Sequence, residues 1–115
     1  MRVLSIDSLP FKGMSHRFTG EEFGTGVSFY AVEAPPGRGP ALHTHPYDEI
    51  IIMQEGEATC VVGDESGVLH AGDVVVVPAG TPHSFVNSGK GALRQLDIHV
   101  SPRFIQHTVE LPTDE

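Results

Sequence analysis

The chemistry this sequence offers rests on three histidines and one glutamate. His43, His45 and Glu49 fall in one short segment, and His83 answers them downstream. Three imidazoles and a carboxylate form a donor set suited to a borderline divalent transition ion. Four protein ligands leave one or two positions open on a five- or six-coordinate ion, and open positions separate a working centre from a structural one. With neutral imidazoles and one carboxylate the centre keeps a net charge of about +1, which attracts an enolate, a carboxylate or a vicinal diol and polarises its oxygen. Several first-row ions accept these donors, so Fe, Mn, Ni, Zn, Co and Cu all stay open, with one divalent ion expected per chain.

Whether the four side chains meet depends on the elements that carry them. Apolar residues do not recur at three-and-four spacing, and 13 Gly and 9 Pro with no Trp punctuate short apolar or alternating runs. Strands are expected over 27–34, 49–54, 58–62, 68–70, 74–77, 83–87 and 93–100, set apart by turns such as Glu55-Gly56-Glu57, the stretch Gly63 to Gly67, and Pro78-Ala79-Gly80. Short strands with frequent turn signals describe a sandwich or barrel. Side chains alternate faces along a strand, so His43 and His45 share a face, and Glu49 has the same parity beyond a break at Pro46. A turn over 78–82 can return His83 beside them. Spacing permits this convergence without forcing it.

With 115 residues, 39% hydrophobic and 19% charged, the chain suits one domain with a real core. The formal net charge is −8, with acidic groups dense between Asp48 and Asp73 and again at Thr113-Asp114-Glu115. Lys and Arg are scattered singly, which argues against a nucleic-acid partner or an anionic membrane. No window approaches the ~20 apolar residues of a membrane helix, and Asp7 interrupts the N-terminus before a signal-peptide core forms. The expectation is a soluble, cytoplasmic protein. The single cysteine, Cys60, allows no internal disulfide and is expected as a small buried hydrophobe. His16, His70 and His107 are expected to be surface or hydrogen-bonded residues.

Parity places Ile51 and Met53 on the face of Glu49, and Phe85 on that of His83, as barrel core; Tyr47 lies near the ligand loop and can edge the opening. In the 93–100 strand, Leu96, Ile98 and Val100 share one face while Gln95, Asp97 and His99 share the other. The preferred expectation for a sandwich strand is that this polar face meets solvent. The alternative is that Asp97 or His99 lines the cavity as a proton donor or acceptor, because a polar face inside a small barrel is costly without such a use. Asp97 and His99 are therefore the candidate catalytic residues.

Two longer patterns add to this. Residues 37–56, with Gly37, His43, His45, Glu49 and Gly56, resemble the first cupin motif; residues 72–87, with Gly72, Pro78, Gly80, His83 and Asn87, resemble the second. The resemblance implies a single cupin domain over 1–115 of the small cupin-2 type: an all-β, antiparallel jelly-roll barrel, also called a double-stranded β-helix. It implies metal ligation by His43, His45, Glu49 and His83 and a small-molecule ligand inside the barrel. The implied function is a metal-dependent enzyme of dioxygenase, isomerase or decarboxylase type acting on an oxygenated or anionic metabolite; the alternative is a non-catalytic binding or sensing module. A homodimer is expected, because small sandwiches expose edge strands and related cupins often pair, with Val3–Ile6 and Val27–Ala34 as interface candidates. The tail from Ser101, with Pro102 and Pro112, is expected to be irregular and to wrap the body or a partner subunit. Gly56 and Gly80 would serve tight turns, Pro78 would end the 74–77 run, and Asn87 would close a turn through its side chain.

Overall fold

Alternation of buried and exposed residues, with no α-helix among the described residues, organises the chain. The computed structural model describes residues 1–110, so Pro112 and the acidic Thr113-Asp114-Glu115 end lie outside the described residues. The strands are β1 (Phe11–Lys12), β2 (Ser15–Phe18), β3 (Ser28–Ala34), β4 (His43–Thr44), β5 (Glu49–Glu55), β6 (Glu57–Val62), β7 (Glu65–His70), β8 (Val74–Val77), β9 (His83–Asn87), β10 (Leu93–His99) and β11 (His107–Thr108). One 3₁₀ turn, Ile6–Ser8, precedes β1, and a second, Gly20–Phe23, joins β2 to β3.

Six strands form one sheet in the order β1-β2-β3-β10-β5-β8, and five form the other in the order β11-β4-β9-β6-β7. Every pairing is antiparallel, and the two sheets make the expected double-stranded β-helix. Between them lies a core built on Val32, Ala34, Ile51, Met53, Ala58, Val77, Phe85 and Leu93. Cys60 is buried, and burial pushes its thiol up to about 11, which keeps it protonated and inert.

The expected strands all form, with one clear shift. β7 begins at Glu65, because Val62 pairs with Glu65 across Gly63-Asp64, leaving a shorter turn than the five-residue one the sequence suggested. β1, β2 and β11 were not expected; two to four residues such as Phe-Lys or His-Thr carry too little alternation to signal a strand. The tail after Ser101 is irregular over most of its length and wraps the body, where β11 pairs with β4.

Parity on β5 and β9 is as expected, with Glu49, Ile51 and Met53 buried on one and His83, Phe85 and Asn87 on the other. On β10 the preferred expectation is overturned. Gln95, Asp97 and His99 are buried, whereas Leu96 and Ile98 are half-buried and Val100 is exposed. The reason is position: β10 lies between β3 and β5, so one of its faces looks into the barrel, and the register with Glu49 fixes which one. A register shift between Arg94 and Gln95, opposite Met53 and Glu55, preserves that alignment.

Two glycines are required by close approach. Gly56 has φ +86°, and a Cβ there would stand 2.5 Å from the Ala92 carbonyl oxygen; a Cβ on Gly39 would run into the carbonyl of Phe85. The Asn87 side chain closes the following turn, donating to the carbonyls of Ala34 and Gly91 and accepting from the Gly89 amide.

Candidate metal centre

The short pairing of β4 with β9 sets His43 directly opposite His83. β4 ends at Thr44, so His45 lies just beyond it; the chain turns through Pro46, Tyr47 and Asp48, and Glu49 opens β5. The loop carrying His45 and the loop leading to His83 are tied together twice. Gly80 N–H donates to the His45 carbonyl at 2.8 Å, and Ala79 N–H donates to Asp48 Oδ1 at 2.9 Å. Two segments far apart in sequence thus form one rigid cradle.

His43, His45, Glu49 and His83 are all buried, and each offers a ligand atom within 4.8 Å of the others. Each imidazole is oriented by a backbone carbonyl on its Nδ1: Ala41 for His43 at 2.7 Å, Ile105 for His45 at 2.7 Å, and Thr81 for His83 at 2.8 Å. A carbonyl only accepts, so each Nδ1 carries the proton, and a neutral ring presents its Nε2 lone pair to the centre. Glu49 Oε1 lies 3.0 Å from Nε2 of His45 and 3.1 Å from Nε2 of His83. The His45 contact lacks hydrogen-bond angles, and His45 Nε2 is buried without a hydrogen-bond partner. Inward-facing lone pairs and a carboxylate, desolvated together, are a donor set that calls for a cation, so the residues fit one transition ion.

Electrostatics agree. Burial would raise the Glu49 carboxyl, but the imidazoles of His45 and His83 against it, and His99 once it is protonated in acid, hold it down at about 2, protons there taking the place a cation would fill. Burial, together with His83 and His45 nearby, lowers His43 against the pull of the Ala41 carbonyl. Burial also opposes charge on His83, yet the Glu49 carboxylate and Thr81 carbonyl leave it raised. His83 is thus the imidazole for which a proton competes hardest with a metal.

A fourth imidazole stands behind the first three. His99 is buried on β10, with Nε2 3.5 Å from Glu49 Oε1 and Nδ1 2.7 Å from the Tyr47 hydroxyl. Burial lowers His99 to about 4 despite the Glu49 charge, so it is neutral at pH 7. Tyr47 accepts from the Ile105 amide at 3.1 Å and stacks on His45 with ring centroids 5.1 Å apart. Asp97 is buried on the same face and accepts from the Gln95 amide at 2.7 Å; burial and then the Glu49 charge raise its carboxyl well above the ordinary range. His43, Glu49, His83, Asp97 and His99 all line a cavity of about 170 Å³.

All four metal-ligand candidates and both catalytic candidates therefore come together. Phe85 lines the cavity as well, whereas Ile51 and Met53 pack in the core. His70 and His107 are exposed, and His16 bonds the Leu9 carbonyl, away from the centre. Two contributors leave no signal in residue type or spacing. Ile105, an apolar tail residue, acts on His45 through its backbone, which leaves no trace in residue type. Arg17, on a strand that went unexpected, reaches the cavity beside Tyr30.

Comparison with known proteins follows the same geometry. A Cupin_2 model, described as a cupin domain, matches residues 30–99. A germin-like protein, subfamily 1 member 20, of Arabidopsis thaliana is 42% identical over 77 residues, covering 56% of this chain and 33% of that protein. An oxalate oxidase structure superposes with a TM-score of 0.74 at 25% identity, covering 83% of this chain and 54% of that one. Oxalate decarboxylase of Bacillus subtilis, whose structure is described with Mn(II) centres, superposes with a TM-score of 0.80 at 21% identity, covering 90% of this chain and 30% of that one. The chain spans between 20% and 54% of the length of the curated relatives it matches.

Proposed function

The chain belongs to the cupin family, and on that premise we propose that it holds one divalent transition ion and acts as a small metal-dependent enzyme on an oxygenated or anionic metabolite. The observation that carries this reading is the tethering of three Nδ1 atoms to backbone carbonyls, which aims three Nε2 atoms at the Glu49 carboxylate beside a cavity. A purely structural barrel has no need to desolvate such a set. A bound ion supplies Lewis acidity, with positions left open for a substrate oxygen.

The remaining roles fall to the chain's own residues. Asp97, whose carboxyl burial raises, can hold and donate a proton there, and neutral His99 can accept one at a ring nitrogen. Tyr47 fixes the His99 ring and covers one face of His45. Phe85 narrows the cavity with apolar surface. The likeness to an oxalate oxidase supports a dioxygen-linked reaction ahead of isomerisation, and the Mn(II) centres of the decarboxylase put manganese first among the ions to try.

The proposed homodimer finds support on the outer face of the six-stranded sheet rather than at an edge. β3 is paired on both sides, so the 27–34 segment offers no open edge. Its Phe29 instead joins an outward apolar row across five strands, Phe18–Phe29–Ile98–Ile50–Val76. Val74 and Val76 at the end of this face are 61% and 63% exposed. Val3, Leu4 and Ile6 are exposed at the N-terminus and stay candidates for the contact.

The reading is tested by oxygen uptake and product analysis with manganese- and iron-loaded protein against small enols, diols and keto acids. Turnover that disappears in Asp97→Asn or His99→Gln at unchanged metal content supports an enzyme. Tight ligand binding with no turnover under any ion would assign the centre to binding or sensing instead.

A further inference from the structure

Three of the chain's arginines define a contrast. Arg94 pairs with Glu33 and Arg103 with Glu21, both on the surface. Arg17 pairs with no carboxylate among the described residues, although the chain carries a formal net charge of −8. Its Nε is buried without a hydrogen-bond partner, and its guanidinium sits 5.1 Å from the centre of the Tyr30 ring. A guanidinium N–H withdrawn from water and left unbonded is costly unless something else fills its place.

Its position says what that is. The β2–β3 register sets Arg17 opposite Tyr30 and Ser15 opposite Val32, and all four line the cavity that also contains Glu49 and His83. Lys12, from the same N-terminal hairpin, lines it too. From Glu49 on β5 the sheet runs through β10 and β3 to Arg17 on β2, three strand spacings or about 14 Å along the curved sheet. The cavity therefore has two poles: imidazoles and a carboxylate at one, a free guanidinium and a lysine at the other.

We infer that Arg17, assisted by Lys12, binds the carboxylate of a small organic acid whose other end reaches the metal-ligand cluster. Arginine presents paired N–H donors that match a carboxylate edge, and here one of them is already desolvated. A cavity of about 170 Å³ holds such an acid and little more. Carboxylate is favoured over phosphate because phosphate would concentrate its charge at the single guanidinium, whereas a dicarboxylate carries its second charge away to the metal-ligand pole. The inference deepens the proposed function and rests on it only for the far end of the ligand.

The test uses zinc-loaded and metal-free full-length protein, titrated by calorimetry and by ¹⁵N NMR of the Arg17 Nε–H resonance. The probes are malonate, succinate, inorganic phosphate and uncharged 1,4-butanediol. Malonate or succinate should move the Arg17 Nε–H signal and bind about tenfold or more weaker to Arg17→Gln, with partial recovery in Arg17→Lys and unchanged zinc content in both. Butanediol should leave that signal in place. Equal affinity of wild type and Arg17→Gln, binding of neither acid, or tighter binding of phosphate than of both acids would each overturn the inference. If zinc fails to bind, the metal reading falls, while Arg17-dependent acid binding in the metal-free protein still decides this one.

Discussion

His45 Nδ1 donates to the carbonyl oxygen of Ile105 across 2.7 Å, joining a ligand loop to a tail sixty residues away. The Ile105 amide in turn donates to Tyr47, whose ring stacks on His45 and whose hydroxyl meets His99. One residue of irregular tail thus fixes the tautomer of a ligand and the place of its neighbour. Metal centres depend on such outer contacts nearly as much as on the ligands themselves.

Tyr47→Phe should test this linkage. The ring and its stacking stay, while the hydroxyl that holds Ile105 and His99 is lost. Metal affinity, measured by chelator competition, should fall about tenfold. The thermal midpoint of the metal-free protein should change little, because the strands are untouched. Unaltered affinity would show that the tail does not position His45.

The acid stability of the metal-free protein should report the two buried groups on β10 with opposite signs. His99 is lowered from 6.5 to about 4. It therefore contributes stability above pH 6.5 that is lost as the pH falls toward 4, a change of about 3 kcal/mol. His99→Gln should flatten the denaturation midpoint over that window relative to wild type. Asp97 is raised, so its contribution is full below its unfolded value and is lost as the pH rises through its folded one. Asp97→Asn should consequently stabilise the metal-free protein at pH 7. Urea titrations at several pH values check both; matching pH profiles in all three proteins would contradict the burial account.

Gly39→Ala should cost about 2 kcal/mol or more in urea unfolding, because the new Cβ meets the Phe85 carbonyl and backbone has to move. Gly26→Ala, with open space around it, is the control and should cost far less. Equal losses would mean that the close approach carries no energetic weight.

Light scattering on wild type should give a dimer, and Val76→Asp should give a monomer of unchanged fold. Val76 is 63% exposed on the outer apolar row, so a charge there is tolerated by the single subunit but not by a pair meeting on that face. A wild-type monomer at working concentration, or a Val76→Asp dimer, would count against this contact.

Much of the fold was legible because its strands repeat with period two and end at Gly or Pro. Val74–Val77 and His83–Asn87 were placed at their observed bounds for that reason. The ligand cluster was legible through residue type and parity, with the two cupin motifs supplying the convergence that spacing left open. The orientation of β10 was not, because Leu96 and Ile98 are as apolar as any inward face. Only the neighbours of β10 show that Gln95, Asp97 and His99 face the lumen. Arg17 escaped notice because Ser-His-Arg-Phe carries no strand signal, and Ile105 because a carbonyl has no residue code.

The central claim is that His43, His45, Glu49 and His83 hold one divalent ion, and elemental analysis of protein purified without added metal tests it most directly. Wild type should carry close to one transition ion per chain, or take up one Mn(II) per chain on titration. His43→Ala and His83→Ala should each lose most of it while remaining folded. Wild type that neither carries nor takes up an ion, or alanine variants that bind as well as wild type, would contradict the account.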